Sequence, residues 1–174
     1  CQEAFERLKT ALTTAPVLLL PQFNKPFILT TDASITGIAY ILSQKDDGGR
    51  EHVVSYGGRG LRPPETRWTI SEIEMLAIIE GVSNYHVYLA GNEFQIFTDH
   101  ISLTFLNKMR LGVNNRLTRW ALYMQGYRYK IAYKKGSTLT AADCLSRLPR
   151  PDDYVPPIEN DPLGDSAVYA VSTD

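Results

Sequence analysis

The stretch Phe27-Ile28-Leu29-Thr30-Thr31-Asp32-Ala33-Ser34 constrains this chain more than any other. It runs apolar and β-branched, as a buried strand does, then ends on a carboxylate followed by small residues. Later, Glu93-Phe94-Gln95-Ile96-Phe97-Thr98 alternates like a strand and ends on Asp99. A carboxylate delivered by a buried strand needs hydrogen bonds, solvent or a cation. If the two strands are parallel neighbours, both acids enter one crevice. Close like charges then require a cation or a shared proton. A helix cap explains either acid alone equally well; the repeated pattern argues against two separate caps.

The other elements fall into order around this pair. Residues 36–45 and 51–57 read as strands joined by Asp46-Asp47-Gly48-Gly49, where Asp and Gly tolerate the positive φ of a hairpin turn. With residues 27–32 they form an antiparallel meander. After a loop containing Pro63-Pro64, Thr69 or Ser71 caps a long helix to about Leu89, which Gly91-Asn92 stops. Its inner face carries Ile73, Leu76, Ala77, Ile79 or Glu80, Val82, and Tyr85 or His86. Short helices are expected over 101–108, over 114–125 with Leu117, Trp120, Ala121 and Met124 inward, and from Thr140 to Leu148. A fifth strand covers 127–133, and residues 2–13 space Ala4, Phe5, Leu8, Ala11 and Leu12 as a helix does. This order predicts an α/β fold with a five-stranded mixed sheet, order 3-2-1-4-5, and helices on both faces. Right-handed crossovers lay the fourth and fifth strands parallel to the first, so the loops at their carboxyl ends share one crevice.

At 174 residues, 44% hydrophobic and 21% charged, the chain suits one domain with length to spare for tails. No run reaches the roughly 18 apolar residues of a membrane span, so no membrane partner is expected. Cys1 and Cys144 cannot build a disulfide framework and are expected reduced, as in the cytoplasm. The first residue is Cys rather than Met, which reads as a fragment of a longer protein. Residues 149–174 hold five prolines and six acids against Arg150 alone, and read as an acidic, flexible linker. Without them, residues 1–148 keep 17 basic and 13 acidic side chains, a balance compatible with nucleic acid.

The long helix offers Glu72 and Glu74, about 200° apart at about 100° per residue, so one of them at most faces the crevice. Glu74 lies on the side of Ala77 and Ile78, where a charge is rare unless paired or bound. Glu72 suits the helix dipole at a first turn, and the same dipole explains Asp143 in the last helix. Four converging carboxylates would suit two Mg²⁺ ions, which prefer oxygen ligands. Two such ions activate water and stabilise the leaving oxygen of a phosphodiester.

Four segments carry a resemblance: Phe27 to Ser34, Glu72-Ile73-Glu74-Met75-Leu76-Ala77-Ile78, Thr98-Asp99-His100 and Ala142-Asp143-Cys144-Leu145-Ser146-Arg147. In order and spacing they resemble the RNase H domain of reverse transcriptases from Ty3/gypsy-type retrotransposons, over about residues 3–148. The resemblance implies an RNase H-like fold at 26–148, the end of the polymerase or connection segment at 1–25, and a linker toward integrase at 149–174. It implies a catalytic, metal-binding set of Asp32, Glu74, Asp99 and Asp143 with two Mg²⁺ (Mn²⁺ substituting). It also implies cleavage of the RNA strand of an RNA–DNA hybrid, partnership with the polymerase part of one polyprotein, and a place in cytoplasmic virus-like particles. One departure stands out: many such enzymes carry a His in the loop before the last acid, where this chain has Tyr133-Lys134-Lys135-Gly136.

A hybrid is read by shape and by the 2′-hydroxyls of its wide minor groove. Ser71 and Arg116 are the substrate-contact candidates. Arg59, Arg67, Lys134, Lys135 and Arg147 belong to a wider basic set for which plain solvation is the simpler account. His100 is expected to point away from the site. The second functional reading is an RNase H-like scaffold or connection without catalysis, against which the four carboxylates argue. The third is an integrase-like strand-transfer enzyme, which would cut DNA.

Overall fold

The computed structural model describes residues 18–101, 103, 115–136 and 139–147, together with 2, 3 and 6. Its elements are β1 (Phe27–Ala33), β2 (Gly37–Lys45), β3 (Glu51–Gly60), a 3₁₀ turn (Glu65–Arg67), α1 (Ile70–Asn84), α2 (His86–Leu89), β4 (Glu93–Thr98), α3 (Asn115–Met124), β5 (Arg128–Tyr133) and α4 (Thr140–Ser146). The five strands form one sheet in the order β3-β2-β1-β4-β5. β1 pairs antiparallel with β2 and parallel with β4, and β5 lies parallel to β4. Most of the expected helices at 2–13 and 101–108, and the linker at 149–174, lie outside the described residues.

Alternation along β1 splits the sheet into two faces. Phe27 and Leu29 face α1, where Gly81 lies against Tyr40 and Leu29. Asp32 lies on the opposite parity, and α4 approaches it there through Ser146. Helices therefore cover both faces. The core between the sheet and α1 contains Phe27, Leu29, Ile38, Leu42, Met75, Ile78 and Ile96, all without exposed surface. Burying each such side chain contributes about 1.5–3 kcal/mol.

Three local differences from the sequence reading have physical causes. α1 is buried on nearly every side, Met75 and Ile78 as fully as the expected inner residues, because it is enclosed by the sheet and α3. The long helix stops at Asn84: Tyr85 leaves the helical region (φ −100°, ψ 19°) as its ring packs edge-on against Tyr40, and α2 follows as a single turn. β3 continues past Gly57 to Gly60, pairing Gly57 with Tyr40 and Gly60 with Gly37. Glycine normally weakens a strand. Here a Cβ at Gly57 would stand 2.1 Å from the Tyr40 ring, so the missing side chain makes the pairing possible. The hairpin turn matches expectation, with Gly49 at φ 79°.

Candidate active site

The parallel register aligns Thr30 with Phe97. Two residues further along, Asp32 and Asp99 come abreast at the same end of the sheet. Asp32 falls inside β1, opposite Ala39, and is only 1% exposed. Ser146 Oγ donates to its Oδ2 at 2.6 Å. Burial pushes the Asp32 carboxyl above its usual range, and Asp99 and Asp143 push the same way against the Ser146 hydrogen bond and Arg147.

Glu74 enters from the first half of α1. A capping box sets the start of that helix: Thr69 Oγ1 accepts from the Glu72 N–H, while Glu72 Oε2 accepts from the Thr69 N–H at 2.9 Å. The other carboxylate oxygen of Glu72 accepts from Arg116 Nη1 at 2.8 Å. Glu72 is thereby occupied at the helix end, and Glu74, on the opposite side, faces the two aspartates. Glu74 is 4% exposed, and its Oε2 has no hydrogen-bond partner. Burial first, then the charges of Asp99 and Asp32 and a hydrogen bond with Asp99, push its carboxyl up to about 9, against a single opposing backbone N–H from Ala33. Glu74 therefore holds its proton far more readily than a free carboxyl does.

Asp143 stands in the first turn of α4, and Arg147 Nε donates to its Oδ1 at 2.6 Å. Ser146 Oγ, which donates to Asp32, also donates to the Asp143 carbonyl at 3.0 Å, so the turn carrying Asp143 lies beside Asp32. Among the described residues, no group of three or more His, Cys, Asp or Glu side chains is gathered tightly enough to hold an ion as it stands. Asp143 is engaged by Arg147, while Glu74, Asp32 and Asp99 lie close enough to raise the Glu74 carboxyl. The donor set nevertheless fits hard divalent cations, being all carboxylate, with an orphaned buried oxygen on Glu74. Gly136, in the loop lacking His, lies against Asp99: a Cβ there would stand 2.9 Å from Oδ2.

The contact candidates are placed differently from one another. Ser71 Oγ lies 3.3 Å from His100 Nε2, so the first turn of α1 is tied to the residue after Asp99. His100 Nδ1 is buried without a partner. Arg116 stands with Glu72 and stacks on Trp68, its guanidinium carbon 3.8 Å from the ring centroid. Arg59 is buried, paired with Glu65 and Glu80. Sequence reasoning passed over Ser146 as a holder of Asp32. The available signal was its position three residues after Asp143, in the quoted motif. A cavity of about 380 Å³ lined by Pro26, Phe94, Arg128 and Lys130 lies at the amino ends of β4 and β5, away from the acids. Cys144 is a free, exposed thiol.

A mixed 3-2-1-4-5 sheet with helices on both faces and acids at the ends of its two central parallel strands defines an RNase H-like α/β protein. Residues 22–127 match the family described as the RNase H-like domain found in reverse transcriptase, and the chain belongs to that family. The match covers Asp32, Glu74 and Asp99 and ends before Asp143. Its homologues are Ty3/gypsy-type retrotransposon polyproteins. The chain is 40% identical over 148 residues to the Retrovirus-related Pol polyprotein from transposon opus of Drosophila melanogaster, covering 84% of this chain and 15% of that protein. It is 38% identical over 168 residues to the gypsy polyprotein of the same species, covering 95% and 15%. To the transposon Tf2-3 polyprotein of Schizosaccharomyces pombe it is 34% identical over 157 residues, covering 88% and 12%. The chain therefore spans about a seventh of the length of the curated relatives it matches. Among solved structures, the foamy viral protease-reverse transcriptase in complex with RNA/DNA hybrid superposes with TM-score 0.57 at 20% identity, over 90% of this chain and 21% of that one. RNase H1 from Halobacterium salinarum superposes with TM-score 0.50 at 15% identity, over 70% and 92%. At these identities the likeness is one of fold. No described helix is long and apolar enough to cross a membrane.

Proposed function

We propose that this domain, residues 26–148, hydrolyses the RNA strand of RNA–DNA hybrids during reverse transcription, with Asp32, Glu74, Asp99 and Asp143 as its catalytic carboxylates. Residues 1–25 then close the preceding polymerase or connection segment, and 149–174 lead onward as a linker. The observation that carries the reading is Glu74. It is a buried acid with one unpartnered oxygen, turned toward two aspartates rather than toward any cation of the fold. Burial of that kind is costly and marks a site that awaits a ligand. The hybrid bound in the foamy viral structure supports the substrate class.

When bound, two Mg²⁺ ions, or Mn²⁺ in their place, supply the charge that activates water and stabilises the leaving oxygen of the phosphodiester. The chain's own groups prepare for this. Ser146 orients Asp32 and keeps one oxygen fixed. Glu74 must give up the proton that burial and the neighbouring acids hold on it, so cation binding strengthens as pH rises. Gly136 leaves room for the Asp99 carboxylate. Ser71, steadied by His100, is placed to meet a 2′-hydroxyl in the minor groove. Arg116 acts through Glu72, fixing the turn that carries Ser71. The products are an RNA 3′-hydroxyl and a 5′-phosphate.

The test is cleavage of an end-labelled RNA–DNA hybrid with and without Mg²⁺. Asp32→Asn is expected to lose metal-dependent cutting by roughly a thousandfold or more while its circular dichroism is unchanged. Cutting by the variant at the wild-type rate contradicts the assignment. A wild-type chain that cuts no hybrid at any concentration supports the scaffold reading instead, and cutting of a DNA duplex control supports strand-transfer chemistry.

A further inference from the structure

We propose that Arg147 is the crevice's own counter-cation: it holds Asp143 while no metal is bound, and releases it to grip a nucleic-acid phosphate when cations enter. The proposal rests on the reading of the crevice as a metal site. Arg147 follows Ser146 at the end of α4, and the two neighbours serve different acids. Ser146 is fully buried, and beyond Asp32 its carbonyl accepts from Ser34 Oγ at 2.7 Å. Those contacts make it a fixed strut. The Arg147 side chain is 64% exposed and holds Asp143 through Nε, one helical turn away. An exposed ion pair of this kind is weak and easily exchanged.

The field of Arg147 extends past its partner, since the charges of Asp32 and Asp99 also favour its guanidinium form. One side chain thus partly neutralises three of the four acids, which is the role a metal takes over. A cation entering between the acids competes with Arg147 for the Asp143 charge, by taking Oδ1 from it or by binding the second oxygen and weakening the pair. The displaced guanidinium has a place to go. A cavity of about 250 Å³ lies between Arg147, Ser34, Ile35, Ile70 and Glu74. Its walls are apolar at Ile35 and Ile70, which are 81% and 65% exposed. Those walls suit the flat of a ribose, and a planar guanidinium donates two parallel hydrogen bonds to a phosphate. Metal binding therefore frees a phosphate ligand, and phosphate binding frees a metal ligand. By linkage each promotes the other.

Two binding measurements on the whole chain test this without relying on turnover. The first is Mg²⁺ titration by calorimetry in the absence of nucleic acid. Arg147→Ala is expected to bind Mg²⁺ roughly three- to tenfold more tightly, and Arg147→Lys close to wild type, because the competing charge is lost only in the first. The second is binding of a labelled hybrid, in EDTA and in Ca²⁺, as salt is varied. In Ca²⁺ the Ala variant is expected to bind more weakly, with a log–log salt slope smaller by about 0.7–0.9, and in EDTA the two proteins should differ less. Unchanged or weaker Mg²⁺ binding by Arg147→Ala, with Asp32→Asn still abolishing wild-type cutting, overturns the counter-cation and leaves an ordinary helix ion pair. A wild-type chain that neither binds Mg²⁺ nor cuts hybrid overturns the metal site itself, and the counter-cation with it.

Discussion

Two glutamates on α1, Glu74 and Glu80, face opposite fates. Glu80 meets Arg59, which reaches from β3 and also bridges to Glu65, with Nη1–Oε2 at 2.6 Å and Nη2–Oε1 at 2.8 Å. Burial pushes the Glu80 carboxyl up, and Arg59 pulls it back. Glu74, six residues earlier, is more deeply enclosed, and meets Asp32 and Asp99 instead of a cation. The first arrangement ties a loop, a strand and a helix together. The second leaves negative charge uncompensated where the central strands end. On the proposed function, the unpaired acid is the one kept for a ligand.

The contrast can be broken most sharply at Glu74. Glu74→Gln is expected to lose hybrid cleavage by roughly a thousandfold or more and yet to melt at a higher temperature than wild type without metal at neutral pH, because an amide is neutral in the crevice without having to hold a proton that the unfolded chain releases. A variant that is inactive and also less stable would make Glu74 a structural acid like Glu80. Arg59→Ala is the converse. It strands Glu65 and Glu80 in the interior and should cost about 3–5 kcal/mol in urea unfolding, with cleavage retained below the melting range. Loss of cleavage in a still-folded Arg59→Ala protein would mean that the two regions are coupled.

pH separates them next. The Glu74 carboxyl is raised from 4.5 to about 9 in the folded state, so the native protein holds a proton that the unfolded chain releases. Its contribution to stability is complete below about 4.5 and is lost as pH rises through about 9. Metal-free wild type should therefore lose stability across that window, and Glu74→Gln should show a flatter profile; equal slopes would contradict the raised Glu74 carboxyl. The smallest effect is expected at Ser146→Ala, which leaves Asp32 present but less well oriented. It should lower kcat about tenfold with KM for hybrid little changed, and Ser146→Thr should recover part of the rate. A rise in KM alone would assign Ser146 to substrate binding.

Much of the sheet was legible because its signals are local. Strand-then-acid segments at Asp32 and Asp99, an Asp-Gly turn and two crossovers determine the order and bring the acids abreast. Glu74 was harder. Geometry left it competing with Glu72 until the motif favoured it, and the structure gives Glu72 two other duties, in the cap and with Arg116. What stayed hidden depends on contacts across the chain. Arg59 reads as a surface cation until Glu65 and Glu80 are folded around it. Gly57 reads as a strand end until Tyr40 lies over it. Tyr85 reads as helical until its ring meets the sheet. Ser146 reaches an acid 114 residues away.

On the proposed function, Glu74 belongs to a metal site and Glu80 to the scaffold. Melting temperature with and without saturating Mg²⁺, for wild type, Glu74→Gln and Glu80→Gln, tests it most directly, since a ligand of the native state raises the melting point in proportion to its occupancy. Mg²⁺ should raise the melting point of wild type and of the destabilised Glu80→Gln by similar amounts, and leave that of Glu74→Gln nearly unmoved. An equal rise in all three would contradict it.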